Sequence, residues 1–128
     1  MRNQLATSQL AERFCTAIET ADLQALQDLY AADAVIWHNY DGIETTAAQN
    51  IAVIGTFPEL FESFAYTDIR REIFAGGFVQ QHICRGRKKT GATFAVPVCM
   101  VVRLRGEQIV RVDEYFDSAH DARPDEYR

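Results

Sequence analysis

The chain has 128 residues, nearly half of them apolar, so it holds one domain with a real core and leaves no room for a second. Its formal net charge of −5 speaks against a nucleic-acid partner, whose phosphate backbone would require a basic stripe. No apolar run approaches the ~20 residues of a membrane span, and the polar opening MRNQLATSQL lacks the basic-then-apolar order of a secretory signal. A cytoplasmic protein with no membrane partner is therefore expected.

In chain order, Leu10, Phe14, Ala17, Ile18 and Ala21 recur at helical spacing and predict a first helix over 7–20 with one buried stripe. Asp22 can then cap a short second helix by accepting from the backbone N–H of Gln24 or Ala25, with Leu23, Leu26, Leu29 and Tyr30 facing inward. The β-branched and aromatic stretch 33–39 predicts a strand that Asp41-Gly42 ends in a turn. A third helical stretch is expected over 46–64, with Ile51, Ile54, Phe61 and Phe64 in register. Gly55 and Pro58 should kink it or split it in two.

From Tyr66 the pattern turns to strands, over 66–75, 78–87, 93–105 and 108–117, separated by glycine-containing turns. Helices followed by an antiparallel meander predict one α+β domain over 1–117, with a loose polar tail over 118–128. The run Phe94 to Leu104 is apolar on both alternating faces, as in strands covered on both sides. Three helices can cover only one face of the sheet, so the other is expected to meet a second copy in a homodimer. Pro97 should bring a bulge or bend.

Cys15, Cys84 and Cys99 are widely spaced, and neither they nor His38, His82 and His120 show a metal-ligand spacing. A Gly-rich phosphate loop and a GxSxG elbow are also absent from the sequence, so no metal and no cofactor is expected. The basic run Arg85 to Lys89 reads as a solvated turn.

Two places carry candidate chemistry. Trp37, His38 and Asn39 put an apolar wall, an imidazole and an amide at the end of the first strand. In the last strand Val110, Val112, Glu114 and Phe116 share a face, which strands one carboxylate among apolar neighbours. A few polar groups converging in an apolar pocket is what an enzyme for a small hydrophobic molecule needs. His38 can be a general base, or a strand-end histidine bonded to a backbone carbonyl. Glu114 can be an acid/base group, or the ion-pair partner of Arg103 or Arg111.

The stretch ADLQALQDLYAADAVIWHN followed by the hairpin VVRLRGEQIVRVDEYFD resembles the nuclear transport factor 2-like superfamily. This cone-shaped α+β fold includes ketosteroid isomerases, SnoaL-like polyketide cyclases and limonene epoxide hydrolases. The resemblance implies a ligand cavity inside the cone. It sets Phe14, Cys99 and His38 at the tyrosine, acid and base positions of ketosteroid isomerase. Only the base position keeps an ionisable group suited to the role, which disfavours steroid isomerisation. It sets Trp37, Asn39 and Glu114 at the water-holding positions of limonene epoxide hydrolase, with Ile83 and Arg85 where that enzyme has an arginine and aspartate pair.

Strand alternation admits either His38 or Trp37 and Asn39 to the cavity, and His38 is preferred because Glu114 alone would have no acid/base partner. The expected site is His38 and Glu114 as catalytic groups, with Phe14, Tyr30, Trp37, Asn39, His82, Cys99, Val112 and Phe116 as substrate-binding groups. The expected activity is isomerase, cyclase or hydrolase-type acid/base chemistry on a hydrophobic carbonyl metabolite. A non-catalytic ligand-binding or dimerisation domain is the alternative.

Overall fold

The computed structural model describes residues 3–117, so the expected loose tail lies outside the described residues. The helix α1 (Gln4–Thr20) starts one turn earlier than its apolar stripe, because the Asn3 side chain accepts from the Ala6 N–H at 2.7 Å and caps it. It ends where Ala21 turns left-handed, at φ 51°. Leu10, Phe14, Ala17 and Ile18 form its buried face as expected. The helix α2 (Leu23–Leu29) is capped by Asp22, which accepts from the Ala25 N–H at 3.1 Å.

The chain then enters β1 (Tyr30–His38) without a loop, so Tyr30 opens a strand where it was expected to close a helix. The Asp41-Gly42 turn leads into a short strand β2 (Glu44–Thr46) that pairs antiparallel with β1. The expected third helix is split, as its Gly55 and Pro58 required, into α3 (Ala47–Ile54) and α4 (Phe57–Leu60). It also stops short. Phe61 and Phe64 belong to β3 (Phe61–Phe74), which begins five residues before its expected start. The strands β4 (Gly77–Lys88), β5 (Thr93–Arg105) and β6 (Gln108–Phe116) complete the meander.

The six strands form one mixed sheet in the order β2-β1-β6-β5-β4-β3. All neighbours are antiparallel except β1 and β6. The helices and the inner sheet face enclose the core, in which Leu10, Leu26, Phe78, Val102 and Ile109 have no exposed surface. Pairing of β3 with β4 slips between Thr67 and Arg70, where Asp68 takes φ 54°. A bulge of this kind bends the strand and increases its twist, which curls the sheet around the core.

The bulge expected at Pro97 is absent. The β4–β5 register runs through Ile83 and Pro97 without a break. The β5–β6 pairs end at Val98, so Pro97 lies past the end of β6 and forfeits no ladder bond on that side. Among the described residues no helix is long and apolar enough to cross a membrane.

Candidate functional site

The parallel register of β1 on β6 fixes the site. His38 stands directly opposite Glu114, and Trp37 opposite Asp113. Opposed residues of a pair project from the same face, so His38 and Glu114 go inward together while Trp37 and Asp113 go outward. His38 Nε2 lies 3.1 Å from Glu114 Oε1, and both side chains are about four-fifths buried. A carboxylate only accepts, so the contact puts a proton on Nε2 and leaves Nδ1 without a partner among the described residues. The hydrogen bond to Glu114 raises the His38 pKa above its usual value; burial opposes this, and the charges of Glu114 and Asp41 add to it.

The pair sits in the wall of a cavity of about 520 Å³. Phe14 and Ile18 of α1, Asn50 and Ile54 of α3, the aromatic side chains of α4 and β3, and the inner faces of β5 and β6 complete it. Phe57, Phe61, Phe64 and Phe94 pack ring to ring at 5.0 to 6.1 Å along one side. Tyr40, from the turn after β1, lies 5.5 Å from the His38 ring and 5.3 Å from Phe116. In the same wall lining the Tyr30 hydroxyl donates to Asn50 Oδ1 at 2.7 Å. Burial, and then the Glu114 charge, raise the Tyr30 pKa, so its hydroxyl keeps its proton.

Phe14, Tyr30, His38, Val112, Glu114 and Phe116 all line this cavity. Trp37, Asn39 and Cys99 do not. Trp37 packs edge-on against Tyr115 on the outer sheet face, at 5.2 Å between rings. Cys99 lies on that same face, in a groove with Gln81, Pro97 and Tyr115, because the inner positions of β5 are Val98 and Met100. Asn39 extends the pairing of β1 with β6: its amide oxygen accepts from the Phe116 N–H at 2.9 Å, which uses it for the strand end.

His82 is buried on the inner face of β4, stacked on Tyr66, but it lies behind the cavity wall. The ion pair weighed for Glu114 is not formed. Arg111 binds Asp113 and Glu44, and Arg103 lies over the Phe74 ring.

Sequence reasoning missed Asn50, Tyr40 and the aromatic wall of β3. Asn50 had a signal, since it precedes Ile54 by one helical turn and so shares its inward face. Tyr40 had none, because a residue in a turn has no periodicity to place it. Among the described residues no three His, Cys, Asp or Glu side chains converge as metal ligands.

Over residues 11–112 the sequence matches the SnoaL-like domain family. The chain belongs to that family. No curated protein matches it in sequence. A protein of Catenulispora acidiphila with a ketosteroid isomerase-like fold, solved in complex with trimethylamine, shares 21% identity at a TM-score of 0.78, over 95% of this chain and 98% of its own. A candidate isomerase from Bacillus subtilis aligns at 18% identity and a TM-score of 0.81, over 100% and 98%. A candidate polyketide cyclase from Xanthomonas campestris gives 18% and 0.79, over 91% and 93%. Likeness at such identities shows the fold. The SnoaL-like domain thus has the nuclear transport factor 2-like fold, with the α+β cone that the sequence implied.

Proposed function

We propose that this SnoaL-like domain is a cofactor-independent enzyme that moves a proton beside the carbonyl of a hydrophobic metabolite, with His38 and Glu114 as its acid/base pair. The single observation that carries this reading is the 3.1 Å contact of His38 Nε2 with the Glu114 carboxylate at the wall of a mostly aromatic and aliphatic cavity. With its Nε2–H kept and directed at the Glu114 carboxylate, neutral His38 has a lone pair on Nδ1. When Nδ1 takes a proton, a C–H bond breaks, an N–H bond forms and the electron pair moves onto the carbonyl oxygen. Glu114 stabilises the resulting imidazolium, as its effect on the His38 pKa implies.

Return of that proton to another carbon gives an isomerase. Attack of the enolate carbon within the same molecule gives a cyclase, and transfer of a proton from water gives hydration or hydrolysis. Tyr30 and Asn50, which also line the cavity, orient the ligand. The candidate cyclase and isomerase among the similar structures agree with this class of chemistry.

Deuterium exchange at the methyl group of acetophenone in D2O tests the reading. Wild-type protein should speed exchange over buffer, and His38→Ala should lose about 10²-fold of that effect. If the protein binds acetophenone without exchanging it, the cavity is a binding site and the domain is not an acid/base enzyme.

We also propose self-association through the outer sheet face. Trp37, Cys99, Val101 and Tyr115 present apolar surface there, and Tyr115 is 47% exposed.

A further inference from the structure

The inner face of β4 carries a polar chain that the His38–Glu114 pair does not use. Gln80 is fully buried beside His82, itself 3% exposed. Gln80 Oε1 accepts from Arg71 Nε at 2.9 Å, and Arg71 Nη1 donates to Glu12 of α1 at 2.8 Å. A guanidinium has nothing to accept with, so this contact settles which end of the Gln80 amide is oxygen. The amide nitrogen then faces His82 Nδ1, at 3.0 Å. That nitrogen can only donate, so Nδ1 accepts and the proton of the neutral ring sits on Nε2. The ring is neutral: burial pulls its pKa down to about 4, a shift that Glu114 opposes and Arg71 assists.

Among the described residues His82 Nε2 is the one buried side-chain nitrogen or oxygen without a hydrogen-bond partner. Natural proteins rarely leave such a group unpaired without a use for it. Cys84 is the next inward residue of β4 after His82. Tyr66 stacks on the ring with centroids 3.9 Å apart, and Val98 is the partner of His82 across β5. Tyr66, Cys84 and Val98 all belong to the wall of the cavity that holds His38 and Glu114. The imidazole thus lies directly behind that wall, with Tyr66 stacked on its face.

We propose that His82 Nε2–H is a preset donor for the carbonyl oxygen of the ligand, reached when the wall side chains beside it, Tyr66 and Cys84, give way, and that Arg71 and Gln80 are positioning residues that hold the donor tautomer. The inference rests on the reading of the cavity as the ligand site. It deepens that reading by assigning the ligand a carbonyl oxygen at the His82 end and an acidic carbon at the His38 end. A neutral imidazole suits this task, because it polarises a carbonyl without repelling a cationic His38.

The test uses 15N-labelled full-length protein and acetophenone labelled with 13C at its carbonyl carbon. Long-range 1H–15N spectra should show His82 neutral and protonated on Nε2 between pH 5.5 and 8. Saturation with acetophenone should shift both that N–H resonance and the carbonyl carbon. His82→Phe should weaken binding by about tenfold, the scale of one hydrogen bond, and abolish the carbonyl shift. Gln80→Leu should admit the Nδ1–H tautomer and reduce the carbonyl shift in proportion, which a merely structural histidine would not do.

A proton on Nδ1 in the wild type overturns the inference. So does a probe that moves the His38 resonances and leaves His82 untouched, in which case the acid/base reading stands alone. A probe that moves neither histidine overturns both.

Discussion

Replacing Glu114 with Gln keeps the side chain's shape and removes its charge, so it isolates what the carboxylate does for His38. A hydrogen bond between an imidazolium and a carboxylate contributes about 1.5–3 kcal/mol when buried. Here the side chains are 21% and 19% exposed, so solvent screening places the value at the low end. The glutamine oxygen still accepts from Nε2, and a neutral bond returns about 0.5–1 kcal/mol. The variant should therefore be less stable by about 1 kcal/mol, or roughly 4 °C in melting temperature for a domain of this size, while His38 is protonated.

The sign with pH follows from linkage. The folded-state pKa of His38 is raised, chiefly by the bond to Glu114. Its contribution is fully present below the unfolded value of about 6.5 and is lost as pH rises through the higher folded value. Above that point wild type buries a carboxylate against a neutral ring, which an amide does at lower desolvation cost. Thermal unfolding followed by circular dichroism at pH 5.5, 6.5, 7.5 and 9 should show a gap that is largest at pH 5.5 and closes or reverses by pH 9. A gap that is the same at every pH, or absent at pH 5.5, would refute the coupling.

Cys15 and Cys84 have pKa values raised first by burial, so both should resist a thiol reagent in the native state, while half-buried Cys99 on the outer face reacts once the dimer is dissociated. Rapid titration of all three without denaturant would contradict the burial. Light scattering at micromolar concentration should give twice the chain mass, and Val101→Asp on the outer face should give a monomer that keeps its melting profile below the dissociation range. Monomeric wild type would defeat the dimer proposal. Dialysis against a chelator should leave the melting temperature unchanged, and a drop would reveal a metal with a structural role.

The parts of the fold that were legible in the sequence are those with local causes. Asp22 caps its helix because an acceptor precedes an apolar run, and Gly55 and Pro58 split the third helix because backbone chemistry demands it. The start of β3 was hidden, since Phe61 and Phe64 fit a helical spacing as well as the strand that pairs Phe64 with Gly86. A Cβ on Gly86 would collide with the Ser63 carbonyl, so tertiary pairing decides that segment where local pattern does not.

The site divides in the same way. Glu114 was visible as a carboxylate on an apolar face. Its contact with His38 depends on the parallel register of β1 on β6, which joins distant segments and leaves no local trace. The same register sends Trp37 outward, and the strand end takes the Asn39 amide. The tautomer of His82 is still less legible, because it is set by Arg71 from another strand through Gln80.

The pH dependence of deuterium exchange into acetophenone, measured for wild type and Glu114→Gln between pH 5.5 and 9, tests most directly whether His38 and Glu114 act as one acid/base pair. The account predicts that the wild-type rate rises with a midpoint above the ordinary histidine value, as neutral His38 appears. In Glu114→Gln the midpoint should move down and the plateau should fall by about 10²-fold. A wild-type rate that does not vary with pH, or the same midpoint and plateau in both proteins, would contradict it.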